Sequence, residues 1–498
     1  MNDPAVTTPN AAGGSAGTTT AARLDKTSIR KIMVGIILAM LLAAMDQTIV
    51  ATALPTIGND LHDVEHLPWV VTAYLLSGTA VTPLYGKFAD VVGRRTTMMT
   101  SIFIFVAASV LSAIAPTMWF LIAARFLQGL GGGGLIALSQ TIVGDVVPPV
   151  ERMRYQGYFA IVFMTSSIAG PVLGGFFSDE LHWSLIFWIN LPLGALAFYM
   201  TNDVMKRLPR HERPHKIDVI GAALVIIAAV TVLLALSWGG GSYAWTSFQV
   251  IGLIVVSIVA WVLFVVRLRT AAEPFIPLTV TTHPVVAAAT AACFFAVGTM
   301  VALTIYLPLY FEVVMGMSAS WSGVSLIAFI GGTVVGAQLA SRVMAWTPHY
   351  KLGPVIGLAA AAIGMGLFAF VARSLSLWET EVLLAVIGTG LGTIFPITTV
   401  AVQNAVEPHE LGTATAAFNF FRSLGSAFFV AVFGAVFIGS LGIGGQAIGS
   451  LEQLIQQAAS QGTSVGPAFL YVFGAAAITL AAGFLCMVAM EELPLRTR

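Results

Sequence analysis

Fourteen apolar stretches follow one another along this chain, each close to the roughly 20 residues that a helix needs to cross a bilayer core. They fall at 31–55, 68–86, 97–115, 118–146, 154–178, 184–202, 217–237, 247–266, 284–311, 320–345, 352–372, 381–402, 411–438 and 467–489. Lipid offers the backbone no hydrogen bonds, so only helices and closed barrels span it. Runs of this length specify helices. Charged residues make up only 9% of the chain and mean hydropathy is +0.90, against about 25% charged in ordinary soluble domains. The expected fold class is an all-α polytopic membrane protein embedded in a lipid bilayer.

Lys and Arg in short loops are retained on the cytoplasmic side of a membrane, so their placement orients the spans. Of 23 Lys and Arg, 20 fall on one face of the fourteen-span arrangement. Only Arg373 falls on the other face, while Arg125 and Arg422 lie within spans. Miscounting by one span would scramble this bias downstream, so an even number of spans is expected, in a plasma (bacterial inner) membrane with both termini cytoplasmic. Residues 1–30 read as a disordered tail, small and polar over their first 22 positions. Residues 31–202 form a first six-helix unit, 203–283 a basic linker with two inserted helices, 284–489 a second six-helix unit, and 490–498 a tail. Six, two and six is the layout of a duplicated unit with two helices inserted. Two echoes fit it: "GLGGGGLIAL" against "GTGLGTIFPI", and "GKFADVVGRR" against "GAQLASRV". Between 439 and 466, "SLEQLIQQAAS" fits a short outer amphipathic helix or a polar linker equally well.

Several stretches carry chemistry. "YGKFADVVGRRTTM" sets Gly86, Asp90, Gly93, Arg94 and Arg95 in a tight turn after the second span. There Asp90 can pair with Arg94 or accept backbone N–H groups at a helix N-terminus. "TSSIAGPVLGG" brings Gly170, Pro171, Gly174 and Gly175 into the fifth span, where proline deletes a backbone hydrogen bond and the glycines permit close helix contact. With "MLLAAMDQTIVATALP" in the first span, "WVVTAYLL", "RFLQGLGGGG" and "IFWINLPLG", these stretches cover roughly residues 31 to 490. On them the chain resembles the major facilitator superfamily, in its fourteen-span drug:proton antiporter branch. The resemblance implies two six-helix bundles around a central cavity, a cytoplasmic latch at the 86–95 motif, an antiporter motif at 170–175, and export of drugs in exchange for protons. Two departures stand out: Val91 where the latch usually has a basic residue, and Ala51 where the first-span signature often has Asn.

Two opposite charges lie inside the first unit. A charge at mid-bilayer costs roughly 2.5–3.5 kcal/mol on insertion scales, and such groups usually pair. Asp46 lies about 9 residues, or roughly 13 Å, inside the outer end of span one; Arg125 lies about 7 residues, or roughly 11 Å, inside the outer start of span four. They share a depth. Burial favours the protonated form of a carboxylate and a neighbouring arginine favours the ionised form, so the pair is either a permanent salt bridge or a proton switch. In the second unit no aspartate occurs after Asp218, and Arg422 has no obvious acidic partner. It either binds helix-end carbonyls or faces the cavity and favours an anionic or zwitterionic substrate. Helix positions suggest that Tyr74, Phe294, Tyr306, Tyr310, Glu312, Phe418, Phe421 and Arg422 line the cavity.

Other patterns exclude functions. Gly129, Gly131 and Gly134 match Gly-x-Gly-x-x-Gly, but inside an apolar helix with no βαβ unit. No Gly-x-x-x-x-Gly-Lys-[Ser/Thr] occurs, so energy must come from a gradient or not at all. His62 and His66 offer either an outer metal site or a solvated loop, the better account. No cofactor, catalytic residue or resident metal is expected, and zero net charge gives no reason to invoke nucleic acid. The expected function is alternating-access export of a small amphiphile by a monomer, coupled to protons at Asp46. The alternatives are an exporter of an endogenous lipid or metabolite and, remotely, a polytopic membrane enzyme.

Overall fold

The computed structural model describes residues 26–63, 66–206, 218–240, 243–271, 274, 276, 278–346, 349–441 and 466–495. The first half comprises α1 (Lys26–Asp60), α2 (Leu67–Val91), α3 (Arg94–Ala113), α4 (Met118–Val146), α5 (Pro149–Glu180), the short α6 (Leu185–Trp188) and α7 (Asn190–Met205). An inserted pair follows, α8 (Val219–Trp238) and α9 (Phe248–Thr270), then the short α10 (Leu278–Thr281). The second half contains α11 (Pro284–Val313), α12 (Ala319–Trp346), α13 (Leu352–Val371), α14 (Leu377–Gly392), α15 (Ile394–Ala405), α16 (Leu411–Ser440) and α17 (Gly466–Ala489).

Thirteen spans among the described residues are long and apolar enough to cross a membrane. The 25-residue α2, which carries Lys87 and Asp90, packs among them against α4 and α16. Helix α1 begins at Lys26, inside the stretch expected to be a tail. The linker residues 207–217 and the outer segment 442–465, with its expected amphipathic helix, lie outside the described residues.

Two spans read as continuous from hydropathy are broken, for one reason. Proline lacks an N–H and its ring clashes with the carbonyl four residues back. Pro192 faces the carbonyl of Trp188, where α6 ends, and Pro396 faces that of Gly392, where α14 ends. Both breaks put a polar side chain into the bundle, Asn190 and Thr393.

The glycine-rich run of the fourth span works by close approach. A Cβ on Gly129 would strike Ser77 and the Tyr74 carbonyl of α2; one on Gly131 would lie 2.5 Å from the Phe105 nitrogen of α3; one on Gly133 would strike the Gly78 carbonyl of α2. Thus α4 wedges between α2 and α3. The second half repeats the device in the same register. Gly388 faces the Phe329 carbonyl of α12, Gly390 the Gly357 carbonyl of α13, and Gly392 the Thr333 carbonyl of α12. Spacing of the contacted residues is conserved too, Tyr74 and Gly78 matching Phe329 and Thr333. This internal symmetry pairs α2 with α12 at an offset of 255 residues. The loop echo "GAQLASRV" starts 250 residues after "GKFADVVGRR", so it is not the structural counterpart. A direct consequence is that Gly133→Ala destabilises by about 1–3 kcal/mol through overpacking against fixed backbone. Gly252→Ala on α9, where nothing lies within 4 Å, is neutral or stabilising by up to about 1 kcal/mol. Thermal unfolding of the two purified variants side by side checks the pair.

The inserted helices lie beside the seam of the halves. Helix α8 contacts both α2 and α16, and Trp261 of α9 stacks 6.1 Å from Phe421 of α16. The outer side of α9 shows Val255, Val259, Val262 and Val266, as expected against lipid. Exposed Trp119, Trp321 and Trp378 stand at the starts of α4, α12 and α14, all on the face opposite the basic loops. They mark an interfacial aromatic belt.

Candidate functional site

The apolar core of the first half is divided in two. One cluster holds Ile32 to Ala43 of α1 with Phe105 and Leu135; the other holds Ile49 to Ile57 with Leu121 and Phe187. Between them lies a polar layer around Asp46, whose exposure is 0%, and Arg125, whose exposure is 1%. Arg125 Nη1 donates to Asp46 Oδ2 at 2.6 Å and to Gln128 Oε1 at 2.7 Å. Its Nε donates to the Val70 carbonyl of α2 at 3.2 Å, and its guanidinium lies 4.3 Å above the Tyr74 ring. The other carboxylate oxygen, Asp46 Oδ1, accepts from Gln128 Nε2 at 2.9 Å and Asn190 Nδ2 at 3.1 Å. Asn190 also donates to Ser109 Oγ at 3.0 Å, tying in α3. Four helices thus deliver donors and acceptors to one buried ion pair, satisfying the condition under which such a pair is tolerated in a low-dielectric interior.

Gln128, Asn190 and Ser109 carry no role in the sequence reading. Gln128 had a signal: it lies three residues from Arg125, hence on the same helix face. Asn190 had one too, as an amide in an apolar run two residues before a proline. For Ser109 no signal existed, because serine in an apolar helix usually bonds its own backbone.

The 170–175 motif lies directly against the charged layer's neighbours. A Cβ on Gly170 would strike Thr48, and one on Gly174 would strike Thr52 and the Ile49 carbonyl. Thr48 Oγ1 donates to the Ser166 carbonyl at 2.8 Å. So α5 rides on α1 within one turn of Asp46, through the two glycines spaced four apart. Pro171 points to the exposed side, and nothing lies within 4 Å of a Cβ on Gly175.

At the basic face the two halves are locked together. Asp90 Oδ2 accepts from the backbone nitrogen of Thr413 at 2.8 Å and from its Oγ1 at 2.6 Å. A carboxylate from α2 therefore caps the N-terminus of α16, where the helix dipole favours negative charge. The other oxygen pairs with Arg94 Nη1, and Arg94 Nε donates to Asp145 at 2.7 Å. Arg95 reaches Asn202 at 2.7 Å. Gly93 has φ +98, a conformation glycine adopts freely, and a Cβ on Gly86 would strike Ala416 and the Gly412 carbonyl. Val91 adds no charge to this lock. Further bonds between the halves run from Gln403 to the Gln140 carbonyl at 3.1 Å, from Asn419 to Gln140 Oε1 at 2.7 Å, and from Gln338 to the Gly157 carbonyl at 3.0 Å. All lie toward the basic face. Residues 411–420 of α16 are buried throughout, whereas 421–424 are half-buried. The halves are bonded to each other at the basic face, and α16 is less buried beyond Phe420.

The expected cavity residues divide. Tyr74 lies under Arg125 inside the first half. Tyr310 is a correction: its ring packs among Phe368, Phe469 and Phe473, and its hydroxyl donates to the Ala372 carbonyl at 2.6 Å. That face of α11 is turned to α13 and α17, away from the first half, beside a surface cleft of ≈ 410 Å³. Glu312 is a second correction, accepting from Ser322 Oγ at 2.7 Å at the exposed turn between α11 and α12. Tyr306 lies between α11 and α16 beside Phe433 and Phe437. Phe294 packs on Phe428 and Phe429, and Phe418 is buried against Phe395. Phe421 and Arg422 are half-buried. The Arg422 guanidinium lies 4.9 Å over Phe395, and its Nε has no partner among the described residues. Those residues contain no group of three or more His, Cys, Asp or Glu side chains placed to hold a metal ion; His66 bonds Asp63 at 2.8 Å instead.

The family model described as Major Facilitator Superfamily matches residues 36–219 and 204–430. The chain belongs to the major facilitator superfamily. Among its relatives in this superfamily, the multidrug transporter protein MdtP of Bacillus subtilis (strain 168) is 34% identical over 422 residues, covering 82% of this chain and 76% of that protein. Multidrug resistance protein 3 of the same organism is 34% identical over 419 residues, covering 84% and 81%. Of solved structures, the human organic anion transporter MFSD10 (TETRAN) superposes with a TM-score of 0.64 at 14% identity, covering 92% of this chain and 99% of that one. At that identity the likeness concerns the fold alone. The protein is an integral membrane transporter and not an enzyme.

Proposed function

We propose that this transporter exports small amphiphilic compounds, including drugs, in exchange for protons by alternating access, with Asp46 as the proton site and Arg125 as its switch. The observation that carries the reading is the fully buried Asp46–Arg125 pair, set in a polar layer that splits an otherwise apolar bundle. Three donors hold the Asp46 carboxylate there, from α4 and α7. Helix α1 carries Asp46 and is gripped by α5 through Gly170 and Gly174, so a bundle movement that shifts α1 on α5 changes the donors that Asp46 keeps.

The basic residues on the locked face support a cytoplasmic side there, which makes the conformation outward-facing, in the plasma (bacterial inner) membrane with both termini inside. The transporter works as a monomer, since each chain carries both halves of the site. Two relatives named for multidrug transport or resistance at 34% identity support the substrate class.

The test is reconstitution of the purified protein in liposomes with an imposed pH gradient and fluorescent cationic, neutral and anionic amphiphiles. The expected result is substrate movement driven by the gradient and abolished by an uncoupler. Movement at the same rate with the gradient collapsed would overturn proton coupling. Movement of lipid but of none of the amphiphiles would favour the endogenous-lipid alternative.

A further inference from the structure

Arg422 is the one deep cation of the second half, 11 residues or roughly 17 Å into α16. Among the described residues no carboxylate pairs with it and no acceptor meets its Nε; its company is the Phe395 ring and the buried Cys293 of α11. The first half treats its own deep cation differently, surrounding Arg125 with Asp46, Gln128 and the Val70 carbonyl. Among the described residues Arg422 has no such carboxylate or amide partner.

Its direction follows from its helix. Asn419, three residues earlier and on the same face, donates across the seam to Gln140 of α4. That face of α16 therefore looks at the first half. At Asn419 the helix is inside the seal, buried throughout from 411 to 420; from 421 it is half-buried. Arg422 is thus the first charged group of α16 past its fully buried stretch. Half-buried Phe421 beside it and Phe395 beneath it supply apolar walls.

We propose that Arg422 is the anion-binding group of the substrate site, and that the compounds exported include amphiphilic carboxylic acids whose carboxylate pairs with its guanidinium while their apolar body lies on Phe395 and Phe421. The inference rests on the reading of this chain as an exporter with a site between its halves. A planar guanidinium offers a fork of donors that fits a carboxylate in a bidentate pair. An apolar pocket with one such polar group orients its ligand by that group.

The test uses the full-length protein in liposomes and three probes on one scaffold: 11-(dansylamino)undecanoic acid, its primary amide, and the matching undecyl trimethylammonium. Binding is read by dansyl fluorescence and transport by its loss from the lumen. Wild type is expected to bind the acid more tightly than the ammonium. Arg422→Gln is expected to weaken the acid by about tenfold or more, the size of one charge-assisted hydrogen bond, and to leave the amide within about threefold. Arg422→Lys is expected to restore part of the acid's affinity, as a point charge in place of a fork. Amide binding by Arg422→Gln serves as the check that the variant is folded. Equal weakening of all three probes, or acid affinity unchanged by Arg422→Gln, would overturn the proposal, and so would a wild-type preference for the ammonium. Export of amide or ammonium without the acid defeats this inference and leaves the exporter reading standing; movement of none of the three defeats that reading itself.

Discussion

Asp46→Asn is expected to abolish proton-driven export while leaving a folded transporter that still binds substrate. Asparagine keeps the size of the side chain and one acceptor oxygen, so Gln128 and Asn190 retain a partner on α1. What it cannot do is gain and lose a proton. One charge moved through 100 mV supplies about 2.3 kcal/mol, equivalent to nearly two decades of substrate gradient. The variant should therefore fail to build any gradient from an imposed pH difference, where the wild type builds one of up to about 50-fold. Downhill movement of preloaded substrate should continue. The measurement is paired uptake in proteoliposomes with and without a pH gradient. Full proton-coupled export by Asp46→Asn would remove Asp46 from the mechanism and leave the pair as a permanent salt bridge.

Arg125→Gln should cost the most stability of any single change in the polar layer. Removing one partner of a buried ion pair typically costs about 3–5 kcal/mol, because the remaining charge is left uncompensated. Arg125 has 1% exposure and also holds Val70 and Gln128, so the lost contacts extend to α2. The converse change is milder, since in Asp46→Asn the guanidinium keeps the Gln128 oxygen, the Val70 carbonyl and the Tyr74 face. Combining them should recover stability. In Asp46→Asn/Arg125→Gln two neutral amides face each other, and replacing both members of a buried pair is often near neutral. Thermal unfolding of the four purified proteins in detergent should rank wild type and the double variant above Arg125→Gln, with Asp46→Asn between. Additive losses would mean that the two side chains do not stabilise each other.

The fold was largely legible before any coordinates. Hydropathy located the spans because a lipid-facing helix must be apolar along its whole length, and positions such as Val255 and Val262 of α9 bear this out. Six, two and six was read from the basic, proline-bearing stretch 203–216 and the proline-bearing break after the eighth span. The broken spans were not legible from hydropathy, although each break lies four residues before a proline. The glycine echo was visible but indistinguishable from chance; contacts at Gly129, Gly131 and Gly133 against Gly388, Gly390 and Gly392 made it a register. The loop echo failed because it rested on residue type without any contact to fix it.

For the site, the sequence supplied the charges and the structure supplied their company. Asp46 and Arg125 share a depth because helices rise about 1.5 Å per residue, and depth is a one-dimensional quantity that a sequence encodes. Azimuth around the bundle is not. Tyr310 and Glu312 were placed in the cavity from depth alone, and the packing of α11 turned Tyr310 into the second half and left Glu312 at an exposed turn. Gln128 and Asn190 converge on Asp46, with Ser109 behind Asn190, only once α3, α4 and α7 are packed. The sequence by itself determined that the chain spans a membrane, which face is basic, and that opposite charges lie at one level. Only the tertiary structure decided which helix faces meet, that the basic face is locked by Asp90 on α16, and that Arg125 pairs with Asp46 while no carboxylate among the described residues pairs with Arg422. Apolar content fixes what must be buried; the angular order of helices decides what each polar group meets there.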